Sequence, residues 1–225
     1  MVHFQETLKK WYLVNKRELP WRNTRDPYKI WLSEVVLQQT RVDQGKSYYL
    51  KFINTFPTVS TLASASEQEV LSLWQGLGYY SRARNLHKAA RYIEKDLKGS
   101  FPKDYKSLLK LPGVGPYTAA AIASFSFDEP TAVVDGNVFR VLSRLYDIST
   151  AINSPKGVLE FKNLSQGLLS MSDPATHNQA IMEFGAMICV PKRPKCNICP
   201  FTMECKSLKK GTVTSRPVKI KKIKV

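Results

Sequence analysis

Leu111-Pro112-Gly113-Val114-Gly115, followed by Tyr117-Thr118-Ala119-Ala120, is the stretch on which the reading of this chain turns. It joins two short helices. Two glycines within three residues permit a tight turn and a close approach of backbone to a ligand. The amides of such a turn and the N-terminus of the helix after it make a site for an anion. Taken alone, the stretch is also an ordinary αα-hairpin, a common joint that need bind nothing.

Outward from the hairpin, helical periodicity dominates, alternating strand runs are absent, and no internal repeat is found. Asp26-Pro27 opens a helix expected to run to about Gln39, with Asp as N-cap and Pro in the first position. Ser66-Glu67-Gln68-Glu69 reads as a capping box. From near Ser81 the residues Ala83, Leu86, Ala90, Ile93 and Leu97 form one apolar stripe that ends around Gly99–Pro102. Later helices are expected over about Val138–Leu145, Gly157–Met171 and His177–Ile188. After Gly211 the chain is Lys, Val and Pro, with nothing that should pack. The fold class is all-α. The expected organisation is an N-terminal helix over 1–22, a helical domain carrying the hairpin over 23–128, a metal-bearing domain over 129–210 and a basic linker-like tail over 211–225.

The 225 residues suffice for one large domain or two small ones. Lys and Arg number 34 against 18 Asp and Glu, a formal charge of +16. The tail lysines Lys219, Lys221, Lys222 and Lys224 hold only part of that excess. A polyanion, most commonly nucleic acid, is the natural partner of such a chain; a solvated basic face is the plainer alternative. No apolar run approaches the roughly 20 residues of a membrane span. Met1–Lys10 has no signal-peptide core, so a soluble, intracellular protein is expected.

All four cysteines lie in Cys189-x6-Cys196-x2-Cys199-x5-Cys205. A secreted disulfide scaffold would spread them along the chain, so the clustering points to a metal site. Zinc sites generally use two close pairs of ligands, and here only one pair is close. Four thiolates on long loops suit a [4Fe-4S] cube; structural zinc and free buried cysteines stay open. Lys192, Arg193 and Lys195 would set positive charge beside the site, suited to phosphates.

Two carboxylates stand out. Asp135, in Val133-Val134-Asp135-Gly136-Asn137-Val138, is placed to cap the next helix, and a cap held by a helix can also serve chemistry. Glu34, in Trp31-Leu32-Ser33-Glu34-Val35-Val36-Leu37-Gln38-Gln39-Thr40, has Ile30, Trp31 and Leu37 at helical spacing. It is therefore read on an apolar face, where burial favours the neutral acid and suits a general acid; a surface Glu is the plainer reading.

Taken together, the 6-2-5 cysteine spacing, the LPGVG hairpin, VDGNV and the segment LPW…WLSEVVLQQT resemble the endonuclease III superfamily, and within it the MutY family of adenine DNA glycosylases. The resemblance covers residues 5 to about 210. It implies a two-lobed helix–hairpin–helix fold with the active site in the groove between the lobes. It also implies a [4Fe-4S] cluster on Cys189, Cys196, Cys199 and Cys205, with phosphate gripped at Gly113 and Gly115. Glu34 is implied to protonate adenine, and Asp135 to stabilise the sugar cation with Asn137 orienting groups beside it. Tyr117 matches the place where bifunctional relatives carry a lysine nucleophile, so no imine chemistry is expected. Tyr79, in Gly76-Leu77-Gly78-Tyr79-Tyr80, is implied to stack into the duplex. Gln39 is implied to probe the space left by a flipped base. Trp21, Arg22, Leu37 and Gln179 match residues around the base pocket. The implied partner is double-stranded DNA with A·8-oxoG or A·G mispairs, bound by a monomer in the cytoplasm or nucleoid of a bacterium, or in the nucleus or mitochondria otherwise. Family members continue into a C-terminal domain, so the chain is expected to be either shortened or a minimal relative. A thymine mismatch glycosylase and a non-catalytic iron–sulfur DNA-binding protein are the rival readings. Gln38-Gln39, where the thymine enzymes are arginine-rich, favour adenine.

Overall fold

The computed structural model describes residues 2–221. Lys222 and Lys224 of the basic tail lie outside the described residues. Among the described residues all regular structure is helical, and no helix is long and apolar enough to cross a membrane. The chain divides into two compact units: Glu18–Glu129, and a second assembled from the chain up to Arg17 and from Pro130 onward.

The hairpin unit contains α2 (Pro27–Leu37), α3 (Val42–Thr55), α4 (Val59–Ser64), α5 (Glu67–Trp74), α6 (Ser81–Asp96), α7 (Tyr105–Leu108) and α8 (Pro116–Phe127). Asp26 caps α2, its carboxylate accepting from the Tyr28 amide at 2.9 Å, with Pro27 in the first turn. Ser66 and Glu69 form both halves of the capping box: the Ser66 amide donates to Glu69 Oε2 at 2.7 Å and the Glu69 amide to Ser66 Oγ at 3.2 Å. Three expectations are corrected. α2 ends at Leu37 because Gln39 turns into the left-handed region at φ 55°. Nor is α2 a striped surface helix: Tyr28 and every residue from Ile30 to Val36 are buried. α8 is a full 12-residue helix rather than a short one. Its buried alanines, Ala119, Ala120, Ala121 and Ala123, have side chains small enough to admit α2 at close range. Trp31, Phe52, Leu62, Trp74, Leu86 and Ile93 are the large side chains at the centre of this core.

The cysteine-bearing unit contains α1 (Val2–Asn15), α9 (Gly136–Tyr146), α10 (Pro155–Leu168), α11 (Pro174–Met187) and α12 (Lys206–Lys209). Phe4, Leu8 and Tyr12 of α1 share one core with Val138 and Leu142 of α9, Phe161 of α10, Ile181 and Phe184 of α11, and Phe201. α9 and α11 approach so closely that a Cβ on Gly185 would lie 2.6 Å from that of Asn137. α10 starts two residues earlier than expected, where the Ser154 hydroxyl caps it by accepting from the Gly157 amide, and it ends at Leu168.

The segment after Gly211 departs from expectation most. It packs. The Arg144 guanidinium donates to the carbonyls of Val213 and Arg216. Asp147, whose side chain is 7% exposed, binds Arg216 at 2.9 Å and Lys210 at 3.1 Å and accepts from the Thr212 hydroxyl at 2.7 Å. The Ile152 amide donates to Val218, and Asn153 pairs with both backbone groups of Ile220. Composition did not reveal this because the partners are charges and carbonyls rather than apolar side chains.

Candidate active site

The hairpin is built as the glycine spacing suggested, but its two glycines do different work. Gly113 sits at φ +72°, and a Cβ there would come within 2.6 Å of Asn85 Cβ, so both conformation and space exclude a side chain. Gly115 is extended at φ −89° and has open space around its Cβ position. Its backbone is left uncovered at the start of α8, which no side chain caps. That uncapped end is suited to an anion. Tyr117, half-buried, stands in the first turn of α8. Gln38 Nε2 reaches the Thr118 hydroxyl at 3.4 Å and links the end of α2 to this turn.

Glu34 lies three residues before the end of α2 and is 7% exposed, so the helix carries its carboxyl into the interior. Leu37, half-buried, closes α2. Beyond it Gln39 is exposed, and so is Tyr79 at 67%. Both take left-handed backbone conformations, at φ 55° and 49°. For a residue with a side chain that costs about 1–2 kcal/mol, so surrounding contacts must hold each turn. Trp21 is buried edge-on against Tyr49 at 5.3 Å, which makes it part of the core of its unit; Arg22 beside it is half-buried.

Asp135, in the cysteine-bearing unit, caps α9 with its Oδ1 accepting from the amides of Asn137 and Val138 at 2.8 Å each. Its Oδ2 accepts from Asn137 Nδ2 at 2.7 Å. Burial pushes the carboxyl up from the ordinary aspartate value, and the hydrogen bonds from Val138 and Asn137 and the Arg140 charge pull it back in part. Asn137 is in turn held by Arg140, whose Nη2 donates to Asn137 Oδ1 at 2.7 Å and to the Gly185 carbonyl at 2.7 Å, while its Nε donates to the Cys189 carbonyl at 2.7 Å. A carboxylate fixed by three donors at a helix N-terminus can stabilise a cation without reorganising. Gln179, on α11, accepts from the Tyr12 hydroxyl at 2.7 Å.

All four cysteines line one pocket, partly open to solvent, together with Arg144, Ile188, Leu208 and Val213. None is disulfide-bonded. Burial raises the Cys199 thiol to about 11, and the charges of Cys189, Cys205 and Cys196 add to that. The Arg144 guanidinium lies 3.5 Å from Cys189 Sγ. Among the described residues no three His, Cys, Asp or Glu side chains are gathered as a single-ion site would gather them. Four thiols lining one pocket are a donor set that fits a thiolate-held metal group larger than one ion.

The structure thus brings Asp135 and Asn137 into one network and the four cysteines around one chamber. It sets Glu34, Leu37, Gln39, Tyr79, Gly113, Gly115, Tyr117, Trp21 and Arg22 in the other unit. The arginines that organise the first group were not picked out from the sequence. Arg140 and Arg144 are buried, four residues apart on a helix whose other covered positions include Val138, Val141, Leu142 and Leu145. That spacing puts both arginines on the apolar face, and a charge there is the signal that could have found them.

Known proteins give this geometry a context. Residues 32–164 match the HhH-GPD superfamily of base excision DNA repair proteins. The adenine DNA glycosylase of Buchnera aphidicola subsp. Baizongia pistaciae is 42% identical over 91% of this chain and 58% of its own length. That of Mus musculus is 43% identical over 95% of this chain and 44% of its own length. The chain therefore spans about half the length of these curated relatives. Among solved structures, a thermostable thymine-DNA glycosylase superposes with a TM-score of 0.85 at 31% identity, covering 92% of this chain and 95% of that one. With the hairpin, the capped aspartate and the match over more than half its length, the chain belongs to the HhH-GPD superfamily of base excision DNA repair proteins.

Proposed function

We propose that this chain is a monomeric, intracellular adenine DNA glycosylase that excises adenine mispaired with 8-oxoguanine or guanine. The observation that carries the reading is the buried Glu34 on α2, in a chain more than 40% identical to adenine DNA glycosylases. The target nucleotide leaves the stack, because its glycosidic bond is out of reach inside the duplex. Glu34 donates a proton to a ring nitrogen of adenine, which turns the base into a neutral leaving group. The bond to the sugar breaks, and the Asp135 carboxylate stabilises the oxocarbenium-like sugar until water adds. Asn137 keeps that carboxylate aimed. Gly113, Gly115 and the start of α8 hold a backbone phosphate, a contact that positions without reading sequence. Tyr117 has no amine, so the abasic strand is left intact. The cysteines would hold a [4Fe-4S] cluster, which when bound would organise the loop that presents Lys192, Arg193 and Lys195 to phosphates.

The similarity to a thymine-DNA glycosylase favours one second reading, excision of thymine from T·G pairs. Duplexes carrying A·8-oxoG, A·G, T·G or thymine glycol, incubated with the protein, separate the two. Release of free adenine from the first two, with strands uncut until alkali is added, is the expected result. Release of thymine alone would replace the proposal by the second reading.

A further inference from the structure

A single guanidinium joins two backbone segments in the hairpin unit. Arg82 is the second residue of α6. Its Nη1 donates to the carbonyls of Val35 at 3.1 Å, Val36 at 3.3 Å and Gln38. Its Nη2 donates to the carbonyls of Leu77 and Gly78, each at 3.2 Å. The guanidinium centre lies 5.0 Å from the Trp74 ring centroid and 5.9 Å from that of Tyr79. The five acceptors flank the two left-handed residues described above: Gln38 precedes Gln39, and Leu77-Gly78 precede Tyr79. Val35 and Val36 belong to the last turn of α2, where a cation is favoured, and the Val35 carbonyl also accepts from the Gln38 amide at 3.4 Å.

Packing alone does not explain this arrangement. Tyr79 is held out at 67% exposure in a backbone conformation that tyrosine disfavours, and Gln39 stands exposed in the same kind of turn. Only a rigid, planar fork can bond both sets of carbonyls at once; an ammonium is a point donor that reaches one set.

We propose that Arg82 is a positioning residue that locks the Gln39 turn and the Tyr79 turn to each other and to the end of α2, so that both side chains meet DNA as one preset unit. The inference rests on the reading that Gln39 and Tyr79 contact the duplex. Its consequence is selectivity: with both turns preset, the two side chains engage a distorted mispair together.

The test is a double-mutant cycle on the full chain. Affinity is measured by fluorescence anisotropy for a duplex with 8-oxoguanine opposite a 2′-fluorinated, cleavage-resistant adenosine, and for the fully paired duplex, with folding checked by circular dichroism. Arg82→Met is expected to reduce the preference for the mispair by about tenfold, a size typical of residues coupled within one network. Gln39→Ala and Tyr79→Ala should each cost several-fold in the parent and much less in the Arg82→Met background. Arg82→Lys should not restore the preference, and it carries the same cycle if Arg82→Met does not fold. Fully additive losses, or parent-like behaviour of Arg82→Lys, overturn the inference while leaving the contact reading intact. If neither Gln39→Ala nor Tyr79→Ala alters the preference in the parent, the contact reading fails and the inference falls with it.

Discussion

The two units are held together by different physics. In the hairpin unit the ion pairs Arg25–Asp128, Lys29–Asp26 and Arg84–Glu67 are all well exposed, and apart from Glu34 and the Arg82 guanidinium the large interior side chains are Trp31, Phe52, Trp74 and their apolar neighbours. In the cysteine-bearing unit charge runs through the structure. Arg17 pairs with Glu183, which is 1% exposed, through Nε at 2.8 Å and Nη2 at 2.6 Å. Arg140 and Arg144 bond backbone carbonyls of the loop that begins at Cys189. The reason lies in what each unit must order. Helices bury side chains and satisfy their own backbones. In the loops over 189–205 and 211–221 several carbonyls have no helical partner, and arginine supplies several donors on one side chain.

The sharpest test of this contrast is chemical, since each unit contributes one of the two proposed catalytic carboxylates. Glu34→Gln keeps the size and shape of the side chain. It should leave the denaturation midpoint close to the parent while lowering single-turnover adenine release by about 10²–10⁴-fold, the range for a lost general acid. Asp135→Ala should also suppress release, and because it removes the α9 cap it should in addition cost about 1 kcal/mol of stability. In the parent, Asp135 must be ionised to act and burial raises it, so activity should fall on acidification at a pH above the ordinary aspartate value of 3.8. Equal stability losses for the two variants in urea titrations would break the contrast.

Next in size are core deletions. Trp74→Ala should destabilise by about 3–5 kcal/mol through transfer and cavity costs. Arg144→Met should cost about as much, roughly 3–5 kcal/mol, by a different route, since it strands the carbonyls of Val190, Pro191 and Val213. The two separate in a second measurement: only Arg144→Met should speed loss of the visible absorbance of the proposed cluster to a chelator. A parent-like rate in that variant would place Arg144 outside the support of the cysteine loop.

A smaller effect concerns Asp147. Its partners hold the carboxyl down at about 2, from an ordinary 3.8, with the Thr212 hydroxyl and Lys210 contributing most. A depressed carboxylate stabilises the fold fully above the ordinary value, and that stability is lost as pH falls toward the depressed one. Stability of the parent should therefore drop between about pH 4 and 2, and Asp147→Asn should be weaker at neutral pH with a flatter acid profile. Parallel profiles for parent and variant would contradict this. Smallest is Glu67→Gln, which breaks only the exposed pair with Arg84 and should shift stability by no more than about 0.5 kcal/mol.

The sequence by itself determined the all-helical class, because apolar residues at helical spacing have one good solution. It also determined the caps at Asp26, Ser66 and Asp135, since a cap is a local bond between residues two or three apart. The hairpin and the cysteine spacing were legible for the same reason: each is a short-range pattern. Only the tertiary structure decided that α2 is covered on every side, since helical phase tells which residues share a face but not how many faces meet protein. The sequence likewise did not show that residues after Gly211 are clasped by Asp147 and Arg144, or that Arg82 spans the Gln39 and Tyr79 turns, far apart in the chain. Those bonds join charged groups to carbonyls, and every residue carries a carbonyl. No residue type marks where such a bond will end; only the folded path of the chain does.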